Sequence, residues 1–329
     1  VSRLTSANAN RDAPDPTVNV EAGADVLRLA EPPPARVGAP GKATLYHFPT
    51  SLYSQQVRLC LAEKGVEWDG RTVNIGPAHE HLAPWYAKIN PQLVVPALDV
   101  DGTIVTDSTH IIQYVDRHFD GPALMPTDPD AVNLALAWMD REAALPMREL
   151  GYARTKGITR WAQRWSLRQR RKQLVKLRTR NPELAEVYTA KLDDLTALEQ
   201  AINSRAAMTE LVDQVEILLD ELEATLADHE WLAGDRYSLA DLVWTAVIAK
   251  LEHIGFARSL SEHRRPRVHG WYMRLRERPS WGSMIRRLTP MEVARFYGPA
   301  AVRGFLIFWV AKWALVGGGL WLLNHLVSP

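Results

Sequence analysis

YHFPTSLYSQQVRLCLAEKGVEW (residues 46–68) and NPQLVVPALDVDGTIVTDSTHIIQYVDRHF (residues 90–119) bound the stretch whose reading decides the fold. The first run reads as an apolar strand, Thr44 to Phe48, followed by a polar turn. A helix follows, with Ser54 expected as its N-cap and Gly65 as its C-terminal punctuation. The second run reads as a loop ending at Val95-Pro96, then two short strands around the Asp101-Gly102 turn. It closes with a helix entered through Asp107-Ser108.

Strand, helix, strand, helix, hairpin, helix is the order of a thioredoxin-like α/β domain. The residues themselves resemble a family. Ser51 and Ser54, then Val57-Arg58, then Val95-Pro96, then Asp107-Ser108 are spaced like the glutathione-binding half of the glutathione transferases. The branch they resemble most holds the ganglioside-induced differentiation-associated proteins and the tetrachlorohydroquinone-dehalogenase-like transferases. The resemblance covers roughly residues 43 to 290. It implies an α/β thioredoxin-like N-terminal domain followed by an all-α helical bundle, and glutathione as co-substrate.

Activating a thiol calls for a helix N-terminus and a hydroxyl donor near the sulfur, since both lower its pKa and raise the thiolate fraction. By the resemblance, Ser51 supplies that hydroxyl as the catalytic residue, with Tyr53 in the same turn as second choice. The Val95-Pro96 peptide is expected cis, with the Val95 backbone bonding the cysteinyl part of glutathione. Asp107 and Ser108 are expected to take the γ-glutamyl ammonium and carboxylate at a helix N-terminus. An ordinary helix N-cap is the competing reading of that pair. Cys60, among Val57, Leu59 and Leu61, reads as a buried small residue, and the lone His47 beside the strand as structural.

The chain has 329 residues, enough for two ordinary domains, and its 47% hydrophobic residues can fill their cores. Lys and Arg number 39 against 38 Asp and Glu, so the overall charge gives no sign of a nucleic-acid partner. A single cysteine excludes an internal disulfide and a cysteine-rich metal site, and the scattered histidines lack metal-ligand spacing. The chain starts at Val1 without Met, which fits a removed targeting segment or a missing start.

Residues 1–42 form a Pro/Ala-rich arm with no periodicity, read as an extended segment. Residues 43–121 are the expected thioredoxin-like domain. Pro122, Pro126 and Pro129 mark a linker into the helical domain, residues 122–298, which carries a basic insertion at about 154–204. From Arg154 to Arg180 there are eleven Arg or Lys and no Asp or Glu, with Trp161 and Trp165 four residues apart. Such a helix is a solvated face, a surface for anionic lipid or an acidic protein, or a partner for the acidic run Glu210 to Glu223. In WLAGDRYSLADLVWTAVIAK, Ser238 and Asp241 occupy capping-box positions, which makes Asp241 a folding residue.

Residues 299–329 include Gly304 to Val327, an apolar run with Lys312 as its one charge. As a helix it would be about 36 Å long, enough to cross a bilayer core of about 30 Å, so a C-terminal transmembrane helix is expected. An organelle membrane follows as the expected location, mitochondrial first and chloroplast second. Two functions stay open: a membrane-anchored glutathione transferase that conjugates an electrophile, and a non-catalytic accessory subunit of an organellar membrane complex.

Overall fold

A computed structural model of the chain describes residues 43–155, 157–285, 288–299 and 302. The central strand β1 (Ala43–His47) pairs in parallel with β2 (Trp68–Thr72) and antiparallel with β3 (Ala97–Val100). β3 in turn pairs antiparallel with β4 (Thr103–Thr106), giving the order β2-β1-β3-β4. Successive side chains of a strand point to opposite faces. Ala43 and Leu45 therefore enter one core, while Tyr46 and, just beyond the strand, Phe48 enter another with Val73, Tyr86, Val95 and Ala97. A strand apolar on both sides needs cover on both.

Helix α1 (Leu52–Glu63) covers the first face together with α3 (Ser108–His118). The short α2 (Pro84–Ala87) contributes Tyr86 to the second. Helices α4 (Pro129–Ala143), α5 (Met147–Ala153), α6 (Gly157–Arg180), α7 (Ala185–Asn203) and α8 (Arg205–Asp228) follow. Then come α9 (Leu239–Leu251), α10 (Pro266–Glu277) and α11 (Pro279–Met284). α1 is buried at every position from Ser54 to Leu61, because α3 lies on one side of it and α9 on another. The segment 290–299 is also helical, and its Phe296 ring lies 5.2 Å from that of Phe48.

Several expectations need correction. The N-cap of α1 is Ser51, whose Oγ accepts the Ser54 N–H at 3.4 Å; the Ser54 Oγ instead accepts the Phe48 N–H at 3.3 Å. At the start of the helical domain the chain breaks before Pro146, which separates α4 from α5. The acidic face of α8 does not pair with α6. Glu216 pairs with Arg264 and Arg265, Asp220 with Arg265, Glu221 with Arg141 and Glu223 with Arg267.

The transmembrane helix is also overturned as part of the fold: no helix among the described residues is long and apolar enough to cross a membrane. The strongly apolar α9 has 13 residues, about 20 Å of helix, and is buried in the protein core. The segment 304–327 and the arm 1–42 lie outside the described residues.

Asp241, at the start of α9, is fully buried and accepts four hydrogen bonds at 2.9 Å. The donors are the N–H groups of Leu232 and Ser238, the Ser238 hydroxyl and the Trp271 indole. One carboxylate thus fixes the start of α9, the turn before it and α10. Asp241→Ala leaves these donors without a partner and is expected to cost about 3–5 kcal/mol. Urea unfolding of the variant measures this loss.

Candidate functional site

The turn from β1 into α1 is built from its own side chains. Ser51 N–H bonds the Phe48 carbonyl at 3.1 Å, and the Gln55 amide reaches the Pro49 carbonyl at 3.4 Å. From the second turn of α1 the buried Arg58 guanidinium reaches back. It donates to the Pro49 carbonyl at 2.8 Å and the Phe48 carbonyl at 3.4 Å, and its Nη1 lies 3.1 Å from His47 Nδ1. These bonds fix Ser51 at the N-terminus of α1, 9% exposed; its Oγ accepts from the Ser54 N–H, and among the described residues its hydroxyl donates to none. His47 is held by Arg58, which gives it a structural part.

The Val95-Pro96 peptide is cis. Its approach is fixed at the Val94 carbonyl, which accepts from the Tyr86 hydroxyl at 2.7 Å and the Asn90 amide at 2.8 Å. Val95 shares an apolar cluster with Phe48, so the two loops lie against each other at one end of the sheet. Among the described residues no hydrogen bond is made by the Val95 main chain.

Asp107 is the N-cap of α3, its Oδ1 accepting from Thr109 N at 2.9 Å and His110 N at 3.2 Å. The capping alternative is therefore realised in the structure. Yet Asp107 has φ +70° and ψ 127°, a sparsely populated region for a residue with a Cβ that costs about 1–3 kcal/mol. A plain cap does not require that conformation, and such strain collects at ligand clamps. Ser108 follows, buried, as the first helical residue.

Tyr53 points outward from the same α1 turn, 37% exposed. Its hydroxyl is pushed up to about 12 by burial first, then by the negative charges of Glu142, Glu149 and Asp107. It is therefore a proton donor at neutral pH and never a base. The start of α1 is tied to α4 through Gln56 and Glu142.

Sequence reasoning gave no structural role to three residues of this region: Gln56, Glu142, and Arg58, which it used only as a spacing landmark. Glu142 is 3% exposed and accepts from the Gln56 amide at 2.8 Å, while the same amide reaches the Val243 carbonyl at 3.3 Å. Burial, with Asp107 adding to it against the Gln56 bond, pushes the Glu142 carboxyl up to about 7. The available signal for Arg58 was a lone charge inside the apolar run VRLCL; Glu142, third in the charged run Asp140-Arg141-Glu142, carried no such signal. Nearer α6, His79 and His81 are buried in the loop after β2, and burial with Arg170 holds both below the ordinary histidine range.

Comparison with known proteins accords with this geometry. Residues 45–123 match the N-terminal domain model of glutathione S-transferase and residues 191–279 its C-terminal domain model. The tetrachloro-p-hydroquinone reductive dehalogenase of Sphingobium chlorophenolicum is 30% identical over 240 residues, 73% of this chain and 94% of that protein. The human ganglioside-induced differentiation-associated protein 1-like 1 is 28% identical over 265 residues, 71% of each chain. Among solved structures, the beta-etherase of Sphingobium sp. strain SYK-6 superposes with a TM-score of 0.60 at 26% identity, covering 74% of this chain and 98% of that one. This chain belongs to the glutathione transferase family, with a thioredoxin-like half and a helical half. The stretch 124–190, between the matched segments, contains α4, α5 and α6.

Glu142 gives a pH prediction whose sign is fixed. A carboxyl raised from an ordinary 4.5 to about 7 destabilises the fold progressively as pH rises through that window, by at most about 3 kcal/mol above it. Glu142→Gln keeps an acceptor for Gln56 without the charge. Thermal melts are expected to place the variant several degrees above the unaltered protein at pH 8. The difference should shrink to about a quarter of that at pH 5 and nearly vanish only below about pH 4.

Proposed function

We propose that this chain binds glutathione at the junction of β1, the Val95-Pro96 loop and the start of α3, and transfers its sulfur to an electrophilic carbon. Ser51 donates a hydrogen bond to the thiolate, helped by the N-terminal end of α1. The free N–H and C=O of Val95, before Pro96, pair with the cysteinyl main chain as an added strand would. Ser108, through its hydroxyl and its own N–H at the start of α3, holds the γ-glutamyl carboxylate, and Asp107 Oδ2 meets the ammonium. Tyr53, protonated, is the second donor on the side facing the helical domain. The thiol gives its proton to solvent, a C–S bond forms, and the leaving group departs with the electron pair of the bond it breaks.

The observation that carries this reading is the Ser51 geometry: its oxygen is used in capping, and among the described residues its hydroxyl donates to none. Family membership supports glutathione as the thiol, and the dehalogenase relative suggests a halogenated aromatic as one electrophile class to try. The accessory-subunit alternative drew on residues 1–42 and 304–327, which lie outside the described residues.

Ser51→Ala is the matching test. The unaltered protein is expected to be retained on immobilised glutathione. The variant should lose about 100-fold in kcat with chlorinated aromatics while KM for glutathione changes little, because the bond matters most to the developing thiolate. Failure of the unaltered protein to bind, or a variant of equal kcat, overturns the assignment.

A further inference from the structure

Helix α6 turns one face inward and leaves the other in water. Leu167 and Leu174 are buried with Leu82, Leu93 and Tyr188, so the inner face is fixed against the thioredoxin-like half and α7. The helical period puts Trp161, Trp165, Arg168, Lys172 and Lys176 on the outer face and Arg164 at its edge, and all six are exposed. Trp161 is 63% exposed and Trp165 50%, unusual for a side chain with so much apolar surface. Beside this stripe, Arg164 donates to Asn203 Oδ1 at 2.6 Å and Arg171 to Glu199 at 2.6 Å. These bonds span a cavity of about 270 Å³ that Arg168 also lines. Glu199 is the one carboxylate against these three guanidinium groups in its wall.

We propose that this face of α6 docks on an anionic lipid bilayer surface, with Trp161 and Trp165 seated among the headgroups and one lipid phosphate taken into the arginine-lined cavity. Charge complementarity selects an anionic occupant, since the helix has no acidic residue anywhere along its length. The two indoles select a bilayer over an acidic protein. An amphipathic ring is at home at headgroup depth, where long Arg and Lys stems keep their charges at the phosphates. The proposal concerns lateral docking of a soluble helix and is independent of the glutathione site.

The test is flotation of the full chain with vesicles of phosphatidylcholine alone or with roughly a third phosphatidylglycerol. Comparing two compositions and matched variants isolates α6 from any other lipid-seeking part of the chain. Stronger partition into the anionic vesicles is expected, weakened by salt. Arg168→Gln/Lys172→Gln/Lys176→Gln should reduce that preference about 100-fold, at roughly fivefold per charge. Trp161→Ser/Trp165→Ser should weaken partition with the salt dependence retained. All these side chains are exposed, and circular dichroism confirms that the variants fold. Equal partition into both vesicle types, variants equal to the unaltered chain, or binding to soluble polyglutamate with no preference for anionic vesicles would each overturn the proposal.

Discussion

The Arg58 guanidinium, closed on the carbonyls of Phe48 and Pro49, is the contact on which the site depends. A turn between a strand and a helix has carbonyls with no ladder partner, and buried carbonyls without donors are costly. A buried arginine supplies donors in a fixed fork, so one side chain sets the path of three residues. Ser51 is placed by that path and then tied to the helix by its own cap. A lysine there has neither the reach in two directions nor the planar fork.

α1 then transmits this order to the rest of the molecule. Its buried stretch lies between the sheet and the helical half, and Gln56 crosses to Glu142 of α4 and to the Val243 carbonyl of α9. At its far end Glu63 receives Arg278 at 2.8 and 2.6 Å and the Ser280 hydroxyl at 2.6 Å. The helix that presents Ser51 is therefore also the wall against which the second half packs.

Much of this was legible before any coordinates. Alternating apolar residues gave β1, the Asp101-Gly102 turn gave the β3–β4 hairpin, and the Ser238/Asp241 spacing gave the start of α9. The resemblance gave the cis Val95-Pro96 bond, which spacing alone could not. What the sequence hid were choices between equivalent residues and contacts across distance. Ser51 and Ser54 both suit an N-cap, and only the turn geometry separates them. The partners of α8 lie on α4 and on the approach to α10, contacts across distance that charge pattern alone could not choose over the basic run at 154–180. Glu142 looked like one more charge on a helix, because burial is a property of the assembled halves. The apolar run at 304–327 supported a membrane helix by length alone, and no helix among the described residues has that character.

The central claim is that the end of β1 and the start of α1 stabilise a bound thiolate. The direct measurement is a pH titration of the ultraviolet thiolate absorbance of glutathione saturated with this protein. The account predicts a bound-thiol pKa well below the ordinary thiol range of about 8.5, by one unit or more. A bound thiol that titrates where the free one does would contradict it.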